Sequence, residues 1–106
     1  MKNRTIYISG AVSSDMFFRE KFDKAEELLK SKGFKVVNPV KGEVVGKDWL
    51  YYMKKDIIKL LDCDCVYALS DWNKSRGARI EVRLAFSLGM EVIFEKNVEN
   101  TKVWRI

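Results

Sequence analysis

The chain has no histidine, a single proline and two cysteines among its 106 residues. Without histidine, the Ser-His-Asp and Cys-His nucleophile systems are excluded, as are H-E-x-x-H zinc hydrolysis and the zinc deaminase H-x-E signature. Any catalysis must run on carboxylates, tyrosine, lysine or backbone dipoles. Cys63 and Cys65 form a C-x-C pair. Such positions do not bridge easily and two thiolates fall short of a closed zinc site, so the pair reads as buried thiols in a reducing compartment. No apolar run approaches the roughly 20 residues that span a bilayer. The start, Met1-Lys2-Asn3-Arg4, leads into too few apolar residues for a signal peptide. A soluble, cytoplasmic protein with no membrane partner is the expectation. G-x-G-x-x-G is missing too, which argues against an ordinary dinucleotide-binding fold.

What is present is balanced. Hydrophobic residues make up 47% and charged residues 33%, a globular composition whose length suits one domain over residues 1–106. Twenty Lys and Arg against fifteen Asp and Glu give +5. The basic residues are scattered beside acids, with no basic tract interleaved with aromatics. A solvated lysine-rich surface is therefore expected rather than a polynucleotide groove, and a small anionic ligand stays open.

Apolar runs alternate with amphipathic segments. Thr5–Ser9 reads as a strand ending at Gly10, followed by a helix capped by Ser13 or Ser14 with Phe18, Phe22, Ala25 and Leu29 at helical spacing. Gly33 is its stop. A second strand, Phe34–Asn38, is closed by Pro39, and Lys41–Lys47 is a loop. From Asp48 a helix carries Trp49, Met53, Ile57 and Leu60 or Leu61 on one side. Asp64–Ser70 is a third strand, Asp71–Ser75 a polar loop, and a third helix runs to about Leu88 with Gly89 as stop. Met90–Phe94 is a fourth strand, and Val103-Trp104 would add a short fifth. This order predicts a three-layer α/β domain with a mostly parallel four- to five-stranded sheet. Ligands bind beyond the carboxyl ends of such strands, which directs attention to Ser9–Ser14, Asn38–Gly46 and Ser70–Glu81.

Glu81 is the strongest anomaly. Its helical neighbours Gly77, Ala78, Leu84 and Ala85 include no cation, and it lies in line with Leu84 and Leu88 on the side facing the sheet. A carboxylate there needs a partner. A functional role weighs evenly against a structural one, in which an arginine from elsewhere or the helix N-terminus satisfies it. Ser75-Arg76-Gly77-Ala78 opens the same helix. Alone it is an ordinary cap; one turn from Glu81 it suggests an anionic ligand whose reactive carbon meets a carboxylate. Asp56 has Lys59 three residues on, and a surface ion pair is its simpler account. Asp71 stands at the carboxyl end of the third strand, near the presumed site; Asp64 is at the opposite, structural end. Tyr7 points a phenol into the site or, more commonly, packs. The loop from Gly10 through Val12 and Ser13 to Ser14 has the look of a phosphate or sugar cradle.

Ile6-Tyr7-Ile8-Ser9-Gly10, Val37-Asn38-Pro39, Trp49 with Tyr52-Met53-Lys54-Lys55-Asp56, Cys63-Asp64, and Asp71-Trp72-x-x-Ser75-Arg76-Gly77-Ala78-Arg79-x-Glu81 together resemble the nucleoside 2-deoxyribosyltransferase superfamily. The superfamily includes the 2′-deoxynucleoside 5′-monophosphate N-glycosidases, and the match is nearest to a small phage and bacterial branch. The resemblance runs through Phe94 and is most specific from Ser75 to Glu81. It implies a flavodoxin-like, Rossmann-like fold and a glutamate that attacks C1′ of a 2′-deoxynucleoside, with a second base or water resolving the covalent intermediate. Glu81 matches the nucleophile, Asp56 the carboxylate that assists the leaving base, and Tyr7 the tyrosine that orients the nucleophile. Ser75 and Gly77 match the residues holding a 5′-phosphate. Transferases carry aspartate at the serine position, so Ser75 tilts the expected substrate towards a 5′-monophosphate. Ser9, Gly10, Val12, Ser13, Asp71 and Trp72 complete the implied substrate contacts.

The resemblance also implies that no metal or redox cofactor is needed, and that a homodimer or larger homo-oligomer completes the site. The chain departs from the pattern in two places. The glycosidases' arginine in the loop after the first strand is replaced near Ser13, and their serine from a neighbouring subunit's C-terminal region has only Asn100 or Thr101 as counterpart. Arg76 and Arg79 are candidates to supply the missing positive charge. Trp49 and Trp72 are candidates for base stacking or an interface, with core packing as the default. The alternatives are a catalytically silent nucleotide-binding module and a hydrolase of another ribosyl compound such as a NAD-like dinucleotide.

Overall fold

Parallel strands need a connection that crosses back over the sheet, and a helix between successive strands supplies one. The computed structural model describes residues 4–12, 17–42 and 45–95. It contains β1 (Thr5–Ser9), α1 (Phe18–Ser31), β2 (Lys35–Val37), α2 (Trp49–Leu61), β3 (Cys65–Ala68), a 3₁₀ turn over Trp72–Lys74, α3 (Arg76–Ser87) and β4 (Glu91–Phe94). The sheet order is β2-β1-β3-β4, and every pair is parallel. This is the flavodoxin-type winding, with β1 at the switch point. Val103 and Trp104, the candidate fifth strand, lie outside the described residues. β2, β3 and β4 are shorter than the apolar runs that carry them; β2 stops before Asn38-Pro39, where proline has no N–H to offer a ladder.

Alternation along the strands sorts side chains to two faces. Ile6, Ile8, Cys65, Tyr67 and Ile93 pack with Phe22, Ala25 and Leu29 of α1. Tyr7 and Val66 point the other way, into a cluster with Leu60 of α2 and Ala85 of α3. Of the two leucines left open by periodicity, Leu60 is fully buried and Leu61 exposed. Side chains of this size contribute about 1.5–3 kcal/mol each when fully buried. Cys63 and Cys65 are free and buried, and burial pushes their thiols to about 11 and about 12. They stay un-ionised and unreactive at neutral pH.

The helices start and stop on local chemistry. Asp48 caps α2 by accepting the Tyr51 N–H at 2.9 Å, and Ser75 caps α3 through the Ala78 N–H at 3.2 Å. Gly33 and Gly89, with φ of 95° and 78°, end α1 and α3 as expected. The start of α1 differs from expectation. Phe17 holds the N-cap position with no side-chain cap, whereas Ser13 and Ser14 lie outside the described residues.

The turn after β2 is held from α1. Buried Asn38 donates through Nδ2 to Asp23 and to Glu26, both at 3.1 Å. Glu26 also takes Lys30 at 2.7 Å and Lys41 at 3.2 Å. The Lys30 contact, then Asn38 and Lys41, pull its carboxyl down to about 2. A depressed folded-state value stabilises the fold above the ordinary value of 4.5, and that stability is lost as pH falls towards 2. Glu26→Gln is therefore expected to lower the melting midpoint at pH 7 by several degrees, about what 1 kcal/mol produces in a chain of this size. Melting at stepwise lower pH should show the gap closing below 4.5; a gap constant with pH would contradict the ion-pair account.

Candidate active site

A cavity of about 290 Å³ opens at the carboxyl end of the sheet, at the lower edge of ligand-pocket sizes. Its chemistry centres on Glu81, which α3 turns towards β1 and which is only 5% exposed. Tyr7 and Ser9 lie two residues apart on one face of β1. The Tyr7 hydroxyl donates to Glu81 Oε2 at 2.9 Å, and the Ser9 hydroxyl donates to Oε1 at 2.7 Å. The partners of Glu81 are thus two hydroxyls rather than an arginine. Burial raises the Glu81 carboxyl to about 7 against the pull of both hydroxyl bonds, and the charge of Asp56 adds to the rise. Burial first, then Glu81 and Asp56, push the Tyr7 phenol well above its ordinary value. It remains a protonated donor at any working pH.

α2 supplies the facing wall. Trp49, Tyr52, Met53 and Asp56 line the cavity, and their spacing of three, four and seven residues places them on one side of the helix. Asp56 thereby shares the cavity with Glu81. The start of α3 adds Ser75, Gly77 and Ala78, and the end of β1 adds Gly10 and Val12. Gly10 is a packing requirement. A Cβ there would stand 2.5 Å from Leu69 Cδ1, so only glycine lets the chain leave β1 against Leu69. At Gly77 a Cβ would meet Met53 Sδ at 2.9 Å.

Three expected substrate contacts are placed elsewhere. Ser9 is 1% exposed, sits behind Glu81 and is engaged by it. Asp71 accepts the Ala11 N–H at 3.1 Å and forms an ion pair with Lys21, whose ammonium also donates to the Ala11 carbonyl at 3.3 Å. It ties the loops after β1 and β3 together and is not among the residues lining the cavity. Trp72 packs on Phe94, ring centroids 5.8 Å apart. The two candidate arginines also separate. Arg79 donates to the Asn73 carbonyl at 3.0 Å, while the Arg76 guanidinium lies 4.1 Å from the centroid of the cavity-lining Trp49 ring. Ser13, Asn100 and Thr101 lie outside the described residues.

The cavity also contains residues not named among the expected site residues. Arg19 lines it from α1 and donates to the Val40 carbonyl at 3.0 Å. Phe22, Pro39, Val40 and the 82% exposed Val45 line it as well. Arg19 had a signal: it stands three residues before Phe22, so the two share one helix face. Pro39, Val40 and Val45 fall within Asn38–Gly46, the stretch that the strand-end rule had singled out, though none of them was named individually. Among the described residues, no helix is long and apolar enough to cross a membrane, and no group of three or more His, Cys, Asp or Glu is placed to hold a metal ion.

No curated protein matches the chain. Among solved structures, a 2-desoxiribosyltransferase from Leishmania mexicana is similar with a TM-score of 0.66 at 21% identity, over 86% of this chain. The match spans 63% of that protein, so the chain accounts for less than two thirds of its length. A 2-deoxyribosyltransferase from the psychrotolerant bacterium Bacillus psychrosaccharolyticus is similar at 0.66 and 19% identity, over 85% of this chain and 70% of that one. At such identities the likeness establishes the fold, and it is the fold that the motifs led us to expect. A family model covers residues 4–94, so the chain belongs to the family described as a domain of unknown function, DUF4406, built on the 2-deoxyribosyltransferase fold.

Proposed function

We propose that the chain cleaves or transfers the N-glycosidic bond of a 2′-deoxynucleoside or its 5′-monophosphate through a covalent glutamyl-deoxyribosyl intermediate. The observation that carries this reading is Glu81: a buried carboxylate in a cavity wall, oriented by two hydroxyls and sharing the cavity with a second carboxylate. Displacement at an anomeric carbon with a covalent intermediate calls for such a pair. The likeness in fold to 2-deoxyribosyltransferases supports it.

As the base departs, positive charge builds at C1′ and Glu81 captures it. Asp56 gives its proton to the departing base, since expelling an unprotonated base is slow. Water or a second base then attacks C1′, Asp56 takes the proton released, and Glu81 leaves as carboxylate. The Asp56 charge disfavours ionisation of Glu81. The reactive form carries its one proton on Asp56. Tyr7 donates throughout. Ser75 and Gly77, at the start of α3, receive the 5′-phosphate, with Arg76 held on Trp49 beside them as the better placed of the two arginines. A homo-oligomer and a cytoplasmic setting belong to the same reading.

The test is intact-protein mass spectrometry of the wild-type chain with a panel of deoxynucleosides and their 5′-monophosphates, with free base followed in parallel. A deoxyribosyl or deoxyribosyl-phosphate adduct with base release is expected. Bound ligand with neither adduct nor base would replace the reading with a silent nucleotide-binding module.

A further inference from the structure

We propose that Ser9 is a positioning residue that fixes which oxygen of Glu81 attacks: it holds Oε1 inside the protein and leaves Oε2, beside Tyr7, as the attacking atom. The proposal rests on the reading of Glu81 as nucleophile.

The geometry separates the two carboxylate oxygens. Tyr7 and Glu81 line the cavity and Ser9 does not. Ser9 is 1% exposed, and its hydroxyl lies 2.7 Å from Oε1. The Tyr7 hydroxyl lies 2.9 Å from Oε2. Tyr7 is as buried as Ser9, so what distinguishes the oxygens is that Oε2 is paired to a residue lining the cavity and Oε1 to one that does not line it. A single donor would leave the carboxylate free to turn about its last side-chain bond and exchange its oxygens. Two donors on different oxygens stop that rotation. Both sit on β1, which pairs with β2 on one side and β3 on the other, so neither anchor shifts easily. The titratable groups bearing on Glu81 are Tyr7 from β1 and Asp56 from α2.

In the first step the C1′–Oε2 bond forms as C1′–N breaks. The electron pair leaves with the base, which takes the Asp56 proton. Oε1 becomes the ester carbonyl oxygen and keeps its bond from Ser9. In the second step the incoming water oxygen bonds to C1′ and its proton passes to Asp56. The C1′–Oε2 electron pair returns to Glu81, and Ser9 stabilises the carboxylate as it leaves. Ser9 thus acts in both steps without touching substrate.

The experiment compares wild type, Ser9→Ala and Ser9→Cys, each labelled with ¹³C at glutamate carboxyls. The Glu81 signal is identified by its loss in Glu81→Gln. Alanine removes the donor, whereas cysteine keeps the volume and donates only weakly. The Glu81 titration midpoint in the ligand-free protein is expected to rise by about half to one pH unit in Ser9→Ala, and by less in Ser9→Cys. Turnover should fall about 10- to 100-fold in Ser9→Ala, as for a hydrogen bond to a charged group. KM should stay within about threefold, and the acidic limb of kcat should move with the titration. An unchanged midpoint with an active wild type overturns the role of Ser9 alone. A shifted midpoint in a wild type that releases no base from any nucleoside or nucleotide overturns the proposed reaction, and the attacking-oxygen assignment with it.

Discussion

Glu81→Gln is expected to lower base release by at least about 10³-fold, as loss of a covalent nucleophile does, and to erase the adduct from the mass spectrum. Glutamine keeps the length and shape of the side chain and can still meet Tyr7 and Ser9, so ligand binding should persist. The same substitution carries a stability signature of opposite sign. Burial raises the folded-state carboxyl from 4.5 to about 7, so between those values the native chain binds more protons than the unfolded one. Stability then falls as pH rises from 4.5 to about 7 and stays reduced above it. The deficit is on the order of 3 kcal/mol at most, from roughly 1.4 kcal/mol per unit. Glu81→Gln should therefore melt higher than wild type at pH 8 and lose that advantage near pH 4.5. An inactive variant with no gain at pH 8 would mean that Glu81 is not ionised against burial, and the raised carboxyl would have to be abandoned.

Asp56→Asn is expected to lower kcat by about 10²- to 10⁴-fold on an ordinary nucleobase, the range for general acid–base groups. On a deoxyribosyl substrate whose leaving group is stable as an anion, the first step needs no acid and should stay fast. The second step still lacks a base to accept the proton from water. A burst of leaving group and a long-lived adduct should appear with that substrate and with no other. Rapid quench kinetics combined with intact mass measures both effects. Equal loss on both substrates, without a burst, would assign Asp56 to binding rather than proton transfer.

The fold was legible because its signals are local. Helical spacing in Phe22, Ala25 and Leu29, the Gly33 and Gly89 stops, and the Asp48 and Ser75 caps each act within a few residues of themselves. Glu81 was legible for the same reason: a carboxylate in line with Leu84, without a cation a turn away, is anomalous on its own helix. Of its partners, Tyr7 was reached only through the family resemblance and Ser9 not at all, because both lie more than seventy positions earlier and meet Glu81 only when β1 and α3 pack. That distance is also why Ser9 reads from sequence as a ligand contact and in the fold as a support. Asp71 shows the same limit. Its place at the carboxyl end of β3 suggested ligand, but Lys21, fifty residues back on α1, claims it. The Pro39, Val40 and Val45 wall lies in the stretch after β2 that the strand-end rule had marked, but with no periodicity its individual residues are picked out only once the sheet fixes where the loop returns.

That loop, from Asn38 to Asp48, divides the labour of the cavity. Every group assigned to bond making or proton transfer stands on β1, α2 or α3, whereas the described residues of the loop add only apolar surface to the cavity, through Pro39, Val40 and Val45. Its near end is moored to α1 by Asn38 and Glu26, and its far end by the Asp48 cap of α2. The loop is thus a replaceable panel between two fixed posts, and exchanging its middle offers a route to new substrate ranges that leaves the reacting carboxylates where they are.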